Sequence, residues 1–302
     1  MSPLTLEALP DLQPLQTATR GWIAKVIWSP DGRLLACGSA GGVAIWRGSL
    51  SAKPVFIKGH DGPAKGVAFA ANGATFATGS ADTTVKVWDL RAFSVNMQPV
   101  NTYTLPDAVD DVVFLANVDV VAACVDGGVY LCAADGTLSQ LYAHDDEVHR
   151  LAVSSDGRSV ASGGRDGVIR LWDATTRAVV GEIAAHSDWV RSVAFHPSEP
   201  LLLSGSRDKT AVLWDVSTPD NPTRLQEMNH LGDVRAVGFA VDGAALLTGS
   251  TDGHIHLWRT TDGVHLGVLQ HHTKPVLSLA PHPSGAGIAS GGGDNQIVMW
   301  GV

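Results

Sequence analysis

The chain has 302 residues, of which 45% are hydrophobic and 17% charged, and its formal net charge is −9. The sequence contains no run of basic residues, which argues against a protein that binds nucleic acid or an anionic membrane. No apolar stretch reaches the roughly 20 residues of a membrane-spanning helix. The three cysteines, Cys37, Cys124 and Cys132, form no disulfide pattern, so we expect a cytoplasmic protein in a reducing compartment.

The N-terminal stretch MSPLTLEALPDLQPLQ lacks the basic start and apolar centre of a secretory signal. We expect residues 1–11 to be a short extension and residues 12–18 to form one strand. A phrase that ends in Trp then recurs, as in ATGSADTTVKVWD at 77–89 and ASGGRDGVIRLWD at 161–173. Its seven copies, spaced by 40–44 residues, end at Trp46, Trp88, Cys132, Trp172, Trp214, Trp258 and Trp300. A period of this size indicates a repeat architecture, here one domain over 1–302.

Each repeat has the pattern of four short strands. In residues 144–185 the runs VHRLAV, SVASGG, VIRLWD and VVGEIAA are apolar or alternate with period two, and Asp-Gly turns separate the first three. Seven such units predict an all-β ring of seven four-stranded antiparallel sheets. A linear stack would need polar end caps, and neither end has one. Because the last repeat stops after its third strand, we expect the strand at 12–18 to close the ring and remove the exposed edge.

Four residue types hold fixed spacing in five of the repeats. A His lies 28 residues before the Trp, a hydroxyl residue follows the His by 18, and an Asp follows it by 22. The sets are His60, Thr78, Asp82 and Trp88; His144, Ser162, Asp166 and Trp172; His186, Ser204, Asp208 and Trp214; His230, Thr248, Asp252 and Trp258; and His272, Ser290, Asp294 and Trp300. In this pattern the chain resembles the WD40-repeat family over nearly its whole length. The resemblance implies a seven-bladed β-propeller in which each set is a structural, hydrogen-bonded tetrad.

A Ser, a His and an Asp also occur in hydrolase triads, where the His activates an exposed Ser beside an oxyanion hole. Five equivalent copies around a ring cannot all be one active site, and the hydroxyl residues sit in the middle of apolar strands rather than on an exposed elbow. We therefore expect no catalytic residue. An enzyme with a site in the central channel, hydrolytic or metal-dependent, remains the alternative.

The first and third repeats depart from the pattern. The first has Thr19 and Cys37 in the His and hydroxyl positions and no Asp, whereas the third keeps Asp126 but has Leu105 and Ala122. We expect apolar packing alone to hold these two blades. Either the sequence has drifted, or the faces of the two blades are reshaped for a partner.

One group of histidines could bind a metal ion. His254 and His256 lie two apart on one strand and so share a face, and His265 on the next strand could join them. Because the matching positions elsewhere hold ordinary solvent-facing residues such as Thr84 and Lys86, the sequence predicts no metal site and no cofactor.

Function must then come from a surface. In WD40 propellers partners most often dock on the face where residues three and five after the His, and just before the Asp, are exposed. The residues expected on this face to contact a partner are Trp22, Glu147, His149, Arg165, Trp189, Arg191, Arg207, Asp233 and Arg235. Arg and Trp dominate binding hot spots, but each Arg could equally pair with a neighbouring carboxylate.

These observations predict a non-catalytic scaffold or adaptor, monomeric by itself, that works within a larger complex. The four arginines predict a protein or peptide partner of acidic character, because Arg matches carboxylates bidentately.

Overall fold

The computed structural model describes residues 3–302. Its regular structure consists of twenty-eight β-strands and three single-turn 3-10 helices, Leu9–Asp11, Leu90–Ala92 and Val241–Gly243. The strands form seven four-stranded antiparallel sheets arranged as a ring, which confirms the predicted fold class. Within residues 3–302, no helix has the length and apolar character needed to cross a membrane.

The first strand, β1 (Gln13–Thr19), precedes the blades in sequence, and each blade is numbered by its innermost strand. Blade one comprises β2 (Ile23–Trp28), β3 (Leu34–Ser39), β4 (Gly42–Arg47) and β5 (Val55–Ile57). Blade two comprises β6 (Ala64–Phe69), β7 (Thr75–Ser80), β8 (Thr84–Asp89) and β9 (Asn101–Thr104). Blade three comprises β10 (Val109–Phe114), β11 (Val120–Cys124), β12 (Gly128–Cys132) and β13 (Leu138–Ala143).

The remaining blades follow the same order from the channel outwards. Blade four comprises β14 (Val148–Val153), β15 (Ser159–Gly164), β16 (Val168–Asp173) and β17 (Ala178–Ala184). Blade five comprises β18 (Val190–Phe195), β19 (Leu201–Ser206), β20 (Thr210–Asp215) and β21 (Thr223–Asn229). Blade six comprises β22 (Val234–Ala240), β23 (Ala245–Ser250), β24 (His254–Arg259) and β25 (His265–Gln270), and blade seven β26 (Val276–Pro281), β27 (Ile288–Gly292) and β28 (Gln296–Gly301).

The N-terminal strand completes blade seven. β1 pairs antiparallel with β28, so that Gln13 lies opposite Gly301 and Thr19 opposite Gln296. The innermost strands of neighbouring blades pack against each other, and β26 packs against β2. The predicted closure by the N-terminal strand is therefore present, displaced by one residue from the predicted 12–18.

Turn chemistry explains the hairpins within the blades. The glycines of the predicted Asp-Gly turns, such as Gly157 and Gly167, have φ of 69° and 78°, a region that costs glycine little. Lys209 takes the place of Gly167 in blade five and adopts φ of 71°. The hairpin geometry is thus kept where the glycine is absent, at some cost in backbone energy.

The hydrophobic core is divided into clusters that lie between adjacent blades. Trp88 and Phe76 of blade two, for example, share a cluster with Val43, Ile45 and Ile57 of blade one. Each repeat buries its apolar faces only against its neighbours, so stability depends on the complete ring.

The N-terminal extension takes part in one of these clusters. Leu4, Leu9 and Leu12 are buried with Leu257 of blade six and Trp300 of blade seven, and the Leu4 amide donates to the carbonyl of Gly285 at 2.8 Å. Within its described residues, 3–11, the extension is therefore packed into the cleft between the last two blades.

Candidate functional site

Blades two, five and seven contain the complete four-residue network. The Trp indole donates to the hydroxyl residue at 2.8–2.9 Å. The hydroxyl hydrogen-bonds the His Nε2 at 2.7–2.8 Å, and the His Nδ1 lies 3.0–3.1 Å from the Asp carboxylate. The hydroxyl residues Thr78, Ser204 and Ser290 are fully buried. No substrate can reach these hydroxyls, so they bridge strands instead of acting as nucleophiles.

The charge state within these networks follows from their surroundings. Burial lowers the pKa of His60 and His272, more strongly than the neighbouring carboxylates raise it. Burial opposes ionisation of Asp82, but hydrogen bonds led by those of Thr84 and the Asp61 amide lower its pKa to about 2. Asp82 is therefore ionised, and His60 and His272 are neutral, at pH 7.

Blade four differs from the expected network in one bond. His144 contacts Ser162 at 2.7 Å and Asp166 at 3.0 Å, but the buried indole nitrogen of Trp172 has no hydrogen-bond partner within residues 3–302. The Tyr142 hydroxyl donates to Ser162 at 3.1 Å instead. Tyr142 thus donates to Ser162 the hydrogen bond that the sequence spacing predicts for Trp172.

Blade six differs at the other end of the network. Trp258 and His230 both contact Thr248, at 2.9 Å and 2.8 Å. The His230 Nδ1 contacts the carbonyl of Met228 at 3.1 Å, and Asp252 turns to His256 at 3.1 Å. The expected bond between His230 and Asp252 is not formed.

On one face of the ring, Trp189 is surrounded by arginines. The guanidinium carbons of Arg165, Arg191 and Arg207 lie 4.1, 4.3 and 4.9 Å from the Trp189 ring centroid, and the His149 ring lies at 5.5 Å. The three cations stack on Trp189 and leave its side chain half-buried on this face. We name Trp189 with Arg165, Arg191 and Arg207 the Arg–Trp cluster.

The arginines of this face differ in how well they are neutralised. Arg165 donates to Glu147 at 2.8 Å, whereas Arg207 is 3.7 Å from Asp188 and Arg235 is 3.8 Å from Asp233. Arg191 forms no ion pair within residues 3–302, and its buried Nε donates no hydrogen bond there. Burial and the nearby Arg235 lower the pKa of Arg191 to about 10. A neighbouring carboxylate therefore neutralises the charge of Arg165, whereas none neutralises that of Arg191 within residues 3–302.

The mouth of the central channel adjoins this cluster. A cavity of about 200 Å³ there is lined by Trp22, Lys65, His149, Arg150, Arg191 and Arg235. His149 and Lys65 share one carboxylate, Asp110, at 2.9 and 2.5 Å. Of the residues expected to contact a partner, the structure brings Trp22, His149, Arg191 and Arg235 around one cavity.

Comparison with known proteins identifies the repeat. The family model described as "WD domain, G-beta repeat" matches residues 12–47, 52–89, 135–173, 177–215, 223–259 and 263–301. The chain belongs to the WD40 family.

Curated relatives of this WD40 protein include eukaryotic translation initiation factor 3 subunit I of Drosophila willistoni and of Drosophila yakuba. Each is 27% identical over 169 residues, which cover 51% of this chain and 52% of the relative. The same subunit of Drosophila mojavensis is 27% identical over 165 residues, 49% of this chain and 51% of the relative. The chain thus spans about half the length of the curated relatives it matches.

The WD40 family model finds six repeats, although the ring has seven blades. The unmatched stretch 90–134 contains β10, β11 and β12 of blade three. In this blade the Tyr130 hydroxyl donates to Asp126 at 2.6 Å, and in blade one Arg20 stacks on Trp46 at 5.2 Å. Polar contacts therefore supplement the apolar packing in both blades, which differs from the sequence expectation of apolar packing alone.

Residues that line the WD40 channel were missed by the sequence reasoning. Arg150, one position after His149, reaches across the ring to the carbonyl of Ala24 at 3.4 Å, and Lys25 pairs with the buried Asp111 at 2.6 Å. The sequence carries a signal for them, because the third residue of the innermost strand lines the channel in six of the seven blades, blade two having Gly66 there.

The channel hydroxyls also have defined roles. Ser192 accepts from the amide of Val237 at 3.1 Å, and Ser278 accepts from the amide of Val26 at 3.0 Å. Each bond joins one blade to the next, so both hydroxyls are engaged in holding the ring together.

Proposed function

We propose that this WD40 propeller is a non-catalytic interaction scaffold that binds an acidic protein segment at the channel mouth over blades four to six. The observation that carries the proposal is Arg191, a half-buried guanidinium that stacks on Trp189 and has no ion pair within residues 3–302, where its buried Nε donates no hydrogen bond. A partner carboxylate would supply the missing counter-charge, and a desolvated Arg and Trp together form a strong anchor.

The surroundings of the site support this assignment. The molecule as a whole carries a charge of −9, so long-range electrostatics disfavour an acidic partner. The Arg–Trp cluster is a local positive patch on this acidic molecule. Affinity for an acidic partner would come from short-range contacts of these side chains after water is excluded from the interface. Similarity over half the chain to a subunit of a translation initiation factor supports a cytoplasmic role within a larger complex.

The test compares charge reversal on the two faces. Arg191→Glu with Arg207→Glu should abolish capture of the main partner from native lysate, identified by mass spectrometry, and binding of a labelled hexaglutamate peptide measured by anisotropy. Binding by the wild type should weaken at high salt, because exposed charges become screened. The melting temperature should stay nearly unchanged, since lost cation–π attraction is offset by relief of repulsion among the arginines.

The matched control lies on the opposite face. Arg177→Glu with Arg224→Glu changes two exposed arginines and should leave capture and peptide binding intact. If the control loses the partner while the first variant keeps it, the binding surface is on the other face and the proposal fails.

A further inference from the structure

The Asp of blade six has a different partner from the Asp of the other four blades that carry the tetrad residues. In blades two, four, five and seven the Asp carboxylate lies 3.0–3.1 Å from the His of the network. In blade six the Asp252 Oδ2 lies 3.1 Å from the His256 Nε2 and 3.8 Å from the His254 Nδ1. One carboxylate oxygen therefore sits between two imidazoles near the surface.

Just after the Asp turn, β24 carries histidine at both position 254 and position 256. In blades two and five the position of His254 holds Thr84 and Thr210, whose hydroxyls donate to the Asp at 2.6 and 2.7 Å. Blades four and seven lack this threonine and still keep the Asp against the network His, so its loss does not by itself move the Asp. Blade six has imidazoles at both 254 and 256, and Asp252 lies against these two rather than against His230.

The three side chains present a donor set that suits a metal ion. One ligand atom from each of Asp252, His254 and His256 lies within 4.8 Å of the other two. Tetrahedral zinc, with bonds of about 2.0–2.2 Å, needs ligand atoms about 3.3–3.6 Å apart, so the distances of 3.1 and 3.8 Å bracket the required spacing. The two distances from the Asp252 oxygen are therefore close to those in a zinc site, and the ligand atoms of His254 and His256 lie within 4.8 Å of each other.

The site is both oriented and open. The His256 ring packs against Trp258, at a centroid distance of 6.2 Å, and against His230 at 5.0 Å, which fixes its direction. The side chain of His254 is 35% exposed, so water can reach the remaining coordination positions. We propose that Asp252, His254 and His256 form a binding site for a divalent transition-metal ion, with zinc as the fitting ion.

His265 lies outside the three residues whose ligand atoms converge. Its ring, on the strand next to β24, is 5.7 Å from the His256 ring and packs on Trp258 at a centroid distance of 4.6 Å. From the sequence, His265 is the candidate third ligand, because the spacing places Asp252 in the tetrad with His230. In the structure Asp252 does not contact His230, and its carboxylate is the third ligand beside His254 and His256. The cysteine thiols do not compete for zinc, since all three are buried and burial raises the pKa of Cys37 and Cys132 to about 12.

The test is a titration of ZnCl₂ into tag-free, chelator-treated full-length protein, followed by calorimetry. The wild type should bind one Zn²⁺, and zinc should raise its melting temperature by mass action. The double variant His254→Thr with His256→Val gives β24 the residues that blade five has at these positions, so it should fold. It should bind zinc at least about 100-fold more weakly than the wild type. Such a loss exceeds the effect of changing residues that only hydrogen-bond to a metal ligand. Asp252→Asn should lose zinc binding as well.

The control variant is His265→Gln, which should bind zinc as the wild type does. Absence of a saturable one-to-one site in the wild type would overturn the proposal, as would wild-type affinity in the double variant. Loss of binding in His265→Gln would overturn the assignment of Asp252 as the third ligand. Arg191→Glu with Arg207→Glu should leave zinc binding unchanged. The zinc site and the proposed binding of an acidic partner are therefore tested independently.

Discussion

At the scale of single residues, the same residue type has two roles in this propeller. Trp214 is 7% exposed, packs between blades four and five and donates to Ser204. Trp189 is half-buried, and its contacts include three guanidinium groups and the His149 ring. Position in the repeat, and not residue type, therefore decides whether a Trp contributes to stability or to the exposed face.

The two tryptophans predict different costs of truncation. Trp214→Ala should lower the free energy of unfolding by about 3–5 kcal/mol, because it leaves a cavity and removes one hydrogen bond of the buried Ser204 hydroxyl. Trp189→Ala should cost about 1 kcal/mol, the size of an exposed cation–π contribution. Urea denaturation of both variants measures the difference, and equal losses would show that the face assignment is mistaken.

The ionised Asp of a tetrad predicts a dependence of stability on pH. The pKa of Asp82 is about 2 in the folded chain and about 3.9 in an unfolded one. Because the folded pKa is depressed, the contribution to stability is full above about pH 4 and is lost as the pH falls through 2. Asp82→Asn should therefore be less stable than the wild type at pH 7, and the gap should narrow between pH 4 and pH 2. A gap of constant size in denaturation curves across this range would contradict the prediction.

At the scale of elements, β1 differs from every other strand because its sheet partners lie at the far end of the chain. It covers the edge of β28, and the preceding residues Leu4, Leu9 and Leu12 fill the cleft between blades six and seven. An uncovered edge strand invites pairing with other molecules. The N-terminal segment thus supplies both hydrogen bonds and apolar contacts to the closed ring.

Removal of this segment tests ring closure. Deletion of residues 1–18 should expose β28 and cause loss of soluble monomer, measured by size-exclusion chromatography and thermal melting. Deletion of residues 1–12 is the matched control: it keeps all of β1 and should lower the melting temperature without loss of the monomer. If the longer deletion melts and elutes like the full chain, closure does not depend on β1.

At the scale of the whole molecule, the sequence by itself determined the repeat number, the all-β class and the strand that closes the ring. These follow from local signals that recur: period-two alternation, Asp-Gly turns and a Trp every 40–44 residues. The fixed offsets also predicted which side chains meet within a blade, because antiparallel register converts a constant spacing into a constant contact. Three of the five networks have all the bonds that the spacing predicts.

The tertiary structure alone decided how side chains are shared between alternative partners. Tyr142, and not Trp172, donates to Ser162, and Asp252 contacts His256 instead of His230. The sequence spacing of the tetrad residues in these two blades is nevertheless the same as in the other three. It also decided which arginine is neutralised, since Arg165 reaches Glu147 and Arg191 reaches no carboxylate within residues 3–302. Spacing along the chain determines which residues are near one another. Which of two nearby groups forms a hydrogen bond depends on differences in distance of less than an ångström and on burial, and only the packed ring sets these.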